Sequence, residues 1–114
     1  MTHAYTEALA IAQEAISEAI RQGAASPLEI EEAAREFAWQ SCDGHEVAII
    51  NHQAIQFCAD NDTSRGEEWL DDCGGISREG DCFGQIACRI AFATLLNIAE
   101  ELIAEFCAEM EEAA

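Results

Sequence analysis

The sequence contains no lysine. Its basic residues are five arginines, Arg21, Arg35, Arg65, Arg78 and Arg89, set against 23 aspartates and glutamates, for a net charge of −18. A chain with so few cations repels phosphate, which argues against direct binding to nucleic acid or to an anionic membrane. Long apolar runs are also missing, and the apolar stretches are too short and interrupted for a membrane helix. Met1 to Gln13 lacks the charged-then-apolar pattern of a secretory signal. The expected compartment is therefore the cytoplasm, where thiols stay reduced. No CxxC pair occurs among the six cysteines, Cys42, Cys58, Cys73, Cys82, Cys88 and Cys107. Most of them read as small core residues.

Half of the residues are apolar, so the low-hydrophobicity signature of disorder is absent. The length of 114 residues fits one acidic helical domain over residues 1–114. Apolar spacing predicts a first helix from about Thr6 to Gln22, with Leu9, Ala12, Ile16, Ala19 and Ile20 inward and Gly23 ending it in a left-handed turn. Ser26-Pro27-Leu28-Glu29 is the clearest helix start: a capping serine, a proline at the first position and a glutamate at the third. The second helix carries Ile30, Ala33, Ala34, Phe37 and Ala38 inward, with Trp39 near its end and a break at Asp43-Gly44.

Asp43 and Glu46 suit a cap for a third helix through Val47, Ile50, Ala54, Phe57 and Cys58. A strand over Val47 to Ile50 is the alternative, given its β-branched residues. Asp60-Asn61-Asp62 closes that element. Ser64 and Glu67 predict a capping box for a short helix through Leu70, ended by Gly74-Gly75. The last helix runs from about Asp81 to Glu112, with an apolar stripe from Phe83 through Ile86, Ile90, Leu95, Ile98, Leu102, Phe106 and Met110. The predicted fold is all-α, a compact bundle of four to five helices with a long C-terminal helix as its spine.

The acids fall in two groups. Glu101, Glu105, Glu109 and Glu112 make a stripe on the last helix. Like charges at that spacing cost a few tenths of a kcal/mol per pair, and they sit at the negative end of the helix dipole. Repeated breaches of local rules point to a functional surface; the plainer alternative is a solvated face. Asp60, Asp62, Glu67, Glu68, Asp71 and Asp72 form the second group. A folded chain of this length spans about 35 Å, and duplex DNA over that length carries roughly 20 charges, close to the net charge here. All ten acids are candidate partner-binding residues.

Catalytic and metal motifs are wanting. Asp60 to Gly66 resembles a calcium loop, but its sixth position is Arg65 and its twelfth Asp71, where Gly and Glu are needed. His45-Glu46 is followed by His52, not by a histidine at the zincin spacing, and Cys42, His45 and His52 form no ligand pair. Cys42 with His45 is the one near thiol–imidazole pair, and no P-loop, dinucleotide fingerprint or GxSxG is present. Neither an enzyme nor a cofactor is expected.

The segment Asp43-Gly44-His45-Glu46-Val47-Ala48-Ile49-Ile50-Asn51-His52, with Asp60-Asn61-Asp62 and Glu67-Glu68-Trp69-Leu70-Asp71-Asp72-Cys73-Gly74-Gly75, looks like small helical proteins of phages and mobile elements. The overall profile resembles small acidic phage inhibitors of host defence, the anti-restriction DNA mimics and anti-CRISPR proteins. That resemblance implies a partner such as a CRISPR effector or a restriction enzyme, blocked at its basic DNA-binding groove, in the host cytoplasm. Two other readings stand beside it. One is an acidic interaction or regulatory module, able to form a homodimer through Trp39, Trp69 or the long helix. The other is adaptation to high salt.

Overall fold

Alanine-rich, regularly spaced apolar positions favour helices, and helices are what the described residues mostly form. The computed structural model describes residues 4–48, 51–72 and 82–113, with side chains for 4–42, 53–72 and 82–112. The helices are α1 (Ala4–Arg21), α2 (Pro27–Ala48), α3 (Asn51–Asp60), α4 (Ser64–Asp72) and α5 (Phe83–Ala113). No strand occurs among the described residues. The molecule measures 48 × 30 × 22 Å, longer than the sphere of about 35 Å expected from chain length. Its long axis is set by α5, whose 31 residues extend about 46 Å.

α5 is the spine, and each of the other four helices packs against it. Around its C-terminal half lie α1 and α2. Tyr5 sits beside Ile98 and Leu102, and Ile16 beside Phe106 and Met110, so α1 runs parallel to α5. Leu28 sits by Ala104 and Ala108 while Trp39 stacks edge-on against Phe92 at 5.4 Å, so α2 runs antiparallel. α3 and α4 cover the N-terminal half, where Ala54 packs with Ala87 and Cys88.

The core seam is made largely of methyl groups. Ala8, Ala12, Ala15 and Ala19 of α1 and Ala34 and Ala38 of α2 meet Ala91, Leu95, Leu96, Ala99 and Ile103 of α5. Alanines let helix axes approach closely. α4 takes this further at Gly66, where a Cβ would lie 2.7 Å from the Thr94 backbone nitrogen and 2.8 Å from the Ile90 carbonyl oxygen.

Two helix ends follow the sequence signals closely. Gly23 has φ +101°, and its N–H donates to the Ile20 carbonyl (3.1 Å) while Ala24 N–H donates to that of Ala19 (3.1 Å). These bonds make a Schellman motif that closes α1. At the start of α2, Glu29 N–H donates to Ser26 Oγ at 3.2 Å. The Glu29 carboxylate reaches back to the Ala25 N–H at 3.0 Å, one residue beyond the usual capping-box target.

Other boundaries are corrected. α2 does not stop near Trp39 or at Asp43-Gly44; it continues to Ala48. Glycine inside a helix costs about 1 kcal/mol, but Cys42, one turn past Ala38, is fully buried and extends the packed face. Asp43 and Glu46 thus lie within α2 and do not cap a helix. Val47 is helical, whereas Ile49 and Ile50 lie outside the described residues, as do Cys73 and Gly74-Gly75.

The expected Ser64/Glu67 box is replaced by an aspartate cap. Asp62 accepts from Ser64 N–H at 3.0 Å and from the Ser64 hydroxyl, and Glu67 N–H donates to the Thr63 carbonyl at 3.0 Å. α5 starts at Phe83, with Gln85 Oε1 accepting from Cys82 N–H at 2.8 Å. Phe83 and Ile20, both read as inward, are 71% and 52% exposed. Phe83 precedes the first buried layer at Ala87, and Ile20 lies about 100° around α1 from the Ala19 seam.

Candidate acidic interaction surface

Each turn of α5 beyond Glu100 exposes at least one glutamate. At 100° per residue, Glu101, Glu105 and Glu112 fall within an arc of about 40° opposite the buried Ala99, Ile103 and Cys107. They form a ridge on the side of α5 that neither α1 nor α2 covers. Glu109 lies on the α1 flank and lines the groove with Ile16 and Phe106. Glu111 lies on the α2 flank beside Leu28. All five glutamates are exposed, and no basic residue occupies the last turn.

The second acidic group meets this ridge at one place. Tyr5, Asp62, Ser64, Arg65, Ile98, Leu102, Glu101 and Glu105 share a groove of about 490 Å³ between α1, the start of α4 and α5. Arg65 is ion-paired to Glu101 across it. Exposed Asp62 has its carboxyl held below the usual range, chiefly by the Ser64 hydroxyl, then by the Ser64 N–H and the Arg65 charge. Glu68 and Asp72 follow Arg65 at three and seven residues and so share its side of α4. Glu67 faces elsewhere: it lies near Cys58 of α3, whose thiol is pushed up by burial first and by that carboxylate second. Asp60 accepts from Gln56 Nε2 at 2.9 Å at the end of α3. The ten acids predicted from sequence therefore form no single cluster. Asp62, Glu101 and Glu105 are brought together, and Glu68, Asp72, Glu109 and Glu112 extend from them; Glu67 faces α3 with exposed Asp71 one turn on along the same side, and Asp60 ends α3 itself. Tyr5 and Arg65 belong to the site and were not among the predicted residues. Their signal, an exposed aromatic and a lone cation among acids, becomes readable only once α1 and α4 are placed.

Arg21 and Arg35, like Arg65, are committed internally. Arg21 pairs with Glu18 at 2.8 Å and Glu14 at 3.4 Å, and Arg35 pairs with Glu31 at 4.0 Å. Among the described residues no cation pairs with Glu105, Glu109, Glu111 or Glu112. Glu100 is half-buried: burial raises its pKa, against a smaller lowering by Arg35.

Burial keeps the thiols of Cys42 and Cys107 protonated. Burial, helped by the Glu100 charge, pushes Cys42 up to about 12, and burial likewise raises Cys107. Among the described residues no group of histidine, cysteine and carboxylate side chains is placed to hold a metal. Trp39 and Trp69 pack edge-on at 6.3 Å and, with Phe92, tie α2, α4 and α5 together. No helix is long and apolar enough among the described residues to cross a membrane. Comparisons with protein-family models, with curated proteins and with solved structures return no match to this chain. What is defined is a class: an all-α protein, with five helices among the described residues, whose spine carries an exposed acidic ridge.

Proposed function

We propose that this protein inhibits a nucleic-acid-binding complex of host defence, of the CRISPR or restriction type, by laying its acidic ridge into the basic groove that normally takes DNA. The observation that carries this reading is the end of α5. Five exposed glutamates, Glu101, Glu105, Glu109, Glu111 and Glu112, occupy about 16 Å of helix. One DNA strand carries about five phosphates over that rise. The carboxylates stand on a packed helix, so little ordering entropy is lost on binding. Averaged over the molecule the likeness is looser. A duplex as long as the 48 Å axis carries about 28 charges, against the net −18 here. The mimicry is thus local to the ridge and its neighbours on α4. In this reading the partner is a protein with a cationic groove, met in the cytoplasm of the host.

The test is inhibition of DNA binding by purified CRISPR effectors and restriction enzymes, with and without the protein, across a salt series. One of them should lose DNA in proportion to added protein, less so as salt rises. The Glu105→Lys/Glu109→Lys/Glu112→Lys variant should fail to inhibit. Inhibition that survives this triple reversal would remove the ridge from the mechanism.

A further inference from the structure

Electrostatic attraction alone would send an acidic ridge to any basic surface, so selectivity needs a contact of another kind. Such a contact site adjoins the ridge. Between the parallel helices α1 and α5 runs a groove of about 500 Å³ lined by Gln13, Ile16, Ser17, Phe106, Glu109 and Met110. Its floor is apolar, its polar rim is thin, and Phe106 and Met110 are only partly covered. One turn beyond Ile16, Ile20 is 52% exposed and continues the apolar strip. Glu109 stands on one wall, and Glu105 and Glu112 lie beside it on the ridge.

We infer that this groove docks an amphipathic basic helix of the partner, which sets leucine-class side chains on Ile16, Phe106 and Met110 and lysines or arginines against Glu105, Glu109 and Glu112. The charge complementarity selects a cationic occupant and disfavours a second copy of this chain, which would bring its own −18. The two flanking helices offer the ridge spacing that a helix face fills, with anchors three and four residues apart. Methionine at the floor suits such a face because its flexible side chain adapts to varied apolar shapes. This inference rests on the cationic-partner reading above and adds to it a salt-resistant, apolar component.

The experiment uses two helical peptides of equal positive charge, each about four turns long. One carries leucine along one face; the other carries glutamine there. Binding is measured at about 0.05 M and about 0.5 M salt. The leucine peptide should hold at least roughly a tenfold advantage at high salt and should shift the Met110 methyl resonance. Ser17→Trp, at an exposed position that fills the groove, should abolish that advantage while circular dichroism stays unchanged, and Met110→Ala should reduce it. Equal binding of the two peptides at high salt, or an advantage untouched by Ser17→Trp, overturns the groove. The Glu105→Lys/Glu112→Lys variant tests the ridge separately, because it should weaken both peptides at low salt. If neither peptide responds to it, the ridge reading fails while the leucine preference still reports on the groove.

Discussion

Gly66 of α4 lies directly against Thr94 of α5, with no room for a β-carbon between the two helices. Thr94 is itself fully buried, and its hydroxyl donates to the Ile90 carbonyl at 2.8 Å. The neighbours that a methyl group would meet include backbone atoms, which cannot turn aside. Gly66→Ala should therefore destabilise the fold. Overpacking costs about 1–3 kcal/mol, against a gain of roughly 1 kcal/mol in helix propensity. Urea titration should show a lower midpoint, and loss of the Arg65–Glu101 pair should accompany it as α4 moves off. An unchanged midpoint would mean that α4 sits farther from α5 than described.

Gly23→Ala isolates a different cost. Nothing lies within 4 Å of the position a Cβ would take, so only the φ of +101° is at stake. The expected loss is about 1 kcal/mol. Ser26→Ala, three residues on, should lose about 1 kcal/mol by leaving the Glu29 N–H without its oxygen acceptor. The two sites share one loop, so a double variant measured by denaturation will show whether the losses add.

Stability and binding should move in opposite directions at the end of α5. Glu109→Lys and Glu112→Lys replace anions at the negative helix terminus with cations. Each should stabilise the fold by about 0.3–1 kcal/mol, while binding to a cationic partner falls. Thermal denaturation and affinity measured on the same variants check this. Parallel losses in both would assign these glutamates an ordinary folding role.

Glu100 gives the pH dependence a sign. Burial raises its folded pKa above the unfolded value, so the folded state binds the proton more tightly. Ionisation then costs stability as pH rises from the unfolded carboxylate pKa through the raised folded one, and the cost persists at neutral pH. Glu100→Gln should accordingly be more stable than the parent at pH 7. The two should converge below the carboxylate range, as followed by urea unfolding at each pH. A parent equal to or more stable than the variant at pH 7 would show that Arg35 outweighs burial.

With burial pushing its pKa up to about 12, Cys42 stays a thiol at pH 8, and the thiol is not the nucleophile. Mass-spectrometric mapping after alkylation should find Cys42 protected in the folded protein and modified on unfolding, while exposed Cys82 reacts early. Rapid alkylation of Cys42 in the folded state would contradict its place against Ala38 and α5.

The fold was legible wherever a local signal and a packing demand agreed. Gly23 and Ser26-Pro27 end and start helices for reasons contained in four or five residues, and the period of α5 runs unbroken for eight turns. Asp43-Gly44 misled because the turn signal was real but weaker than the burial of Cys42 one turn beyond Ala38. Ile20 misled because its hydrophobicity grouped it with Ala19, although it lies a full 100° around α1 from that close alanine seam. The acidic surface was legible as composition and as the α5 stripe. How Asp62 meets Glu105 depends on the antiparallel return of α4, a relation across more than 40 positions that no local pattern encodes. Arg65 could be seen in the sequence, but its commitment to Glu101 could not.

A seam of methyl groups leaves the bundle almost no slack. Ala8, Ala12, Ala15 and Ala19 are at most 2% exposed, and any larger side chain there would act as a wedge between α1 and the spine. The outward positions carry no such constraint. Mutational drift is thereby channelled: the interior tolerates little beyond glycine or serine, while the exposed glutamates outside are free to be rearranged. A lineage built on this plan could exchange its whole exterior and keep its shape, and its members would come to share a silhouette rather than a recognisable string of residues.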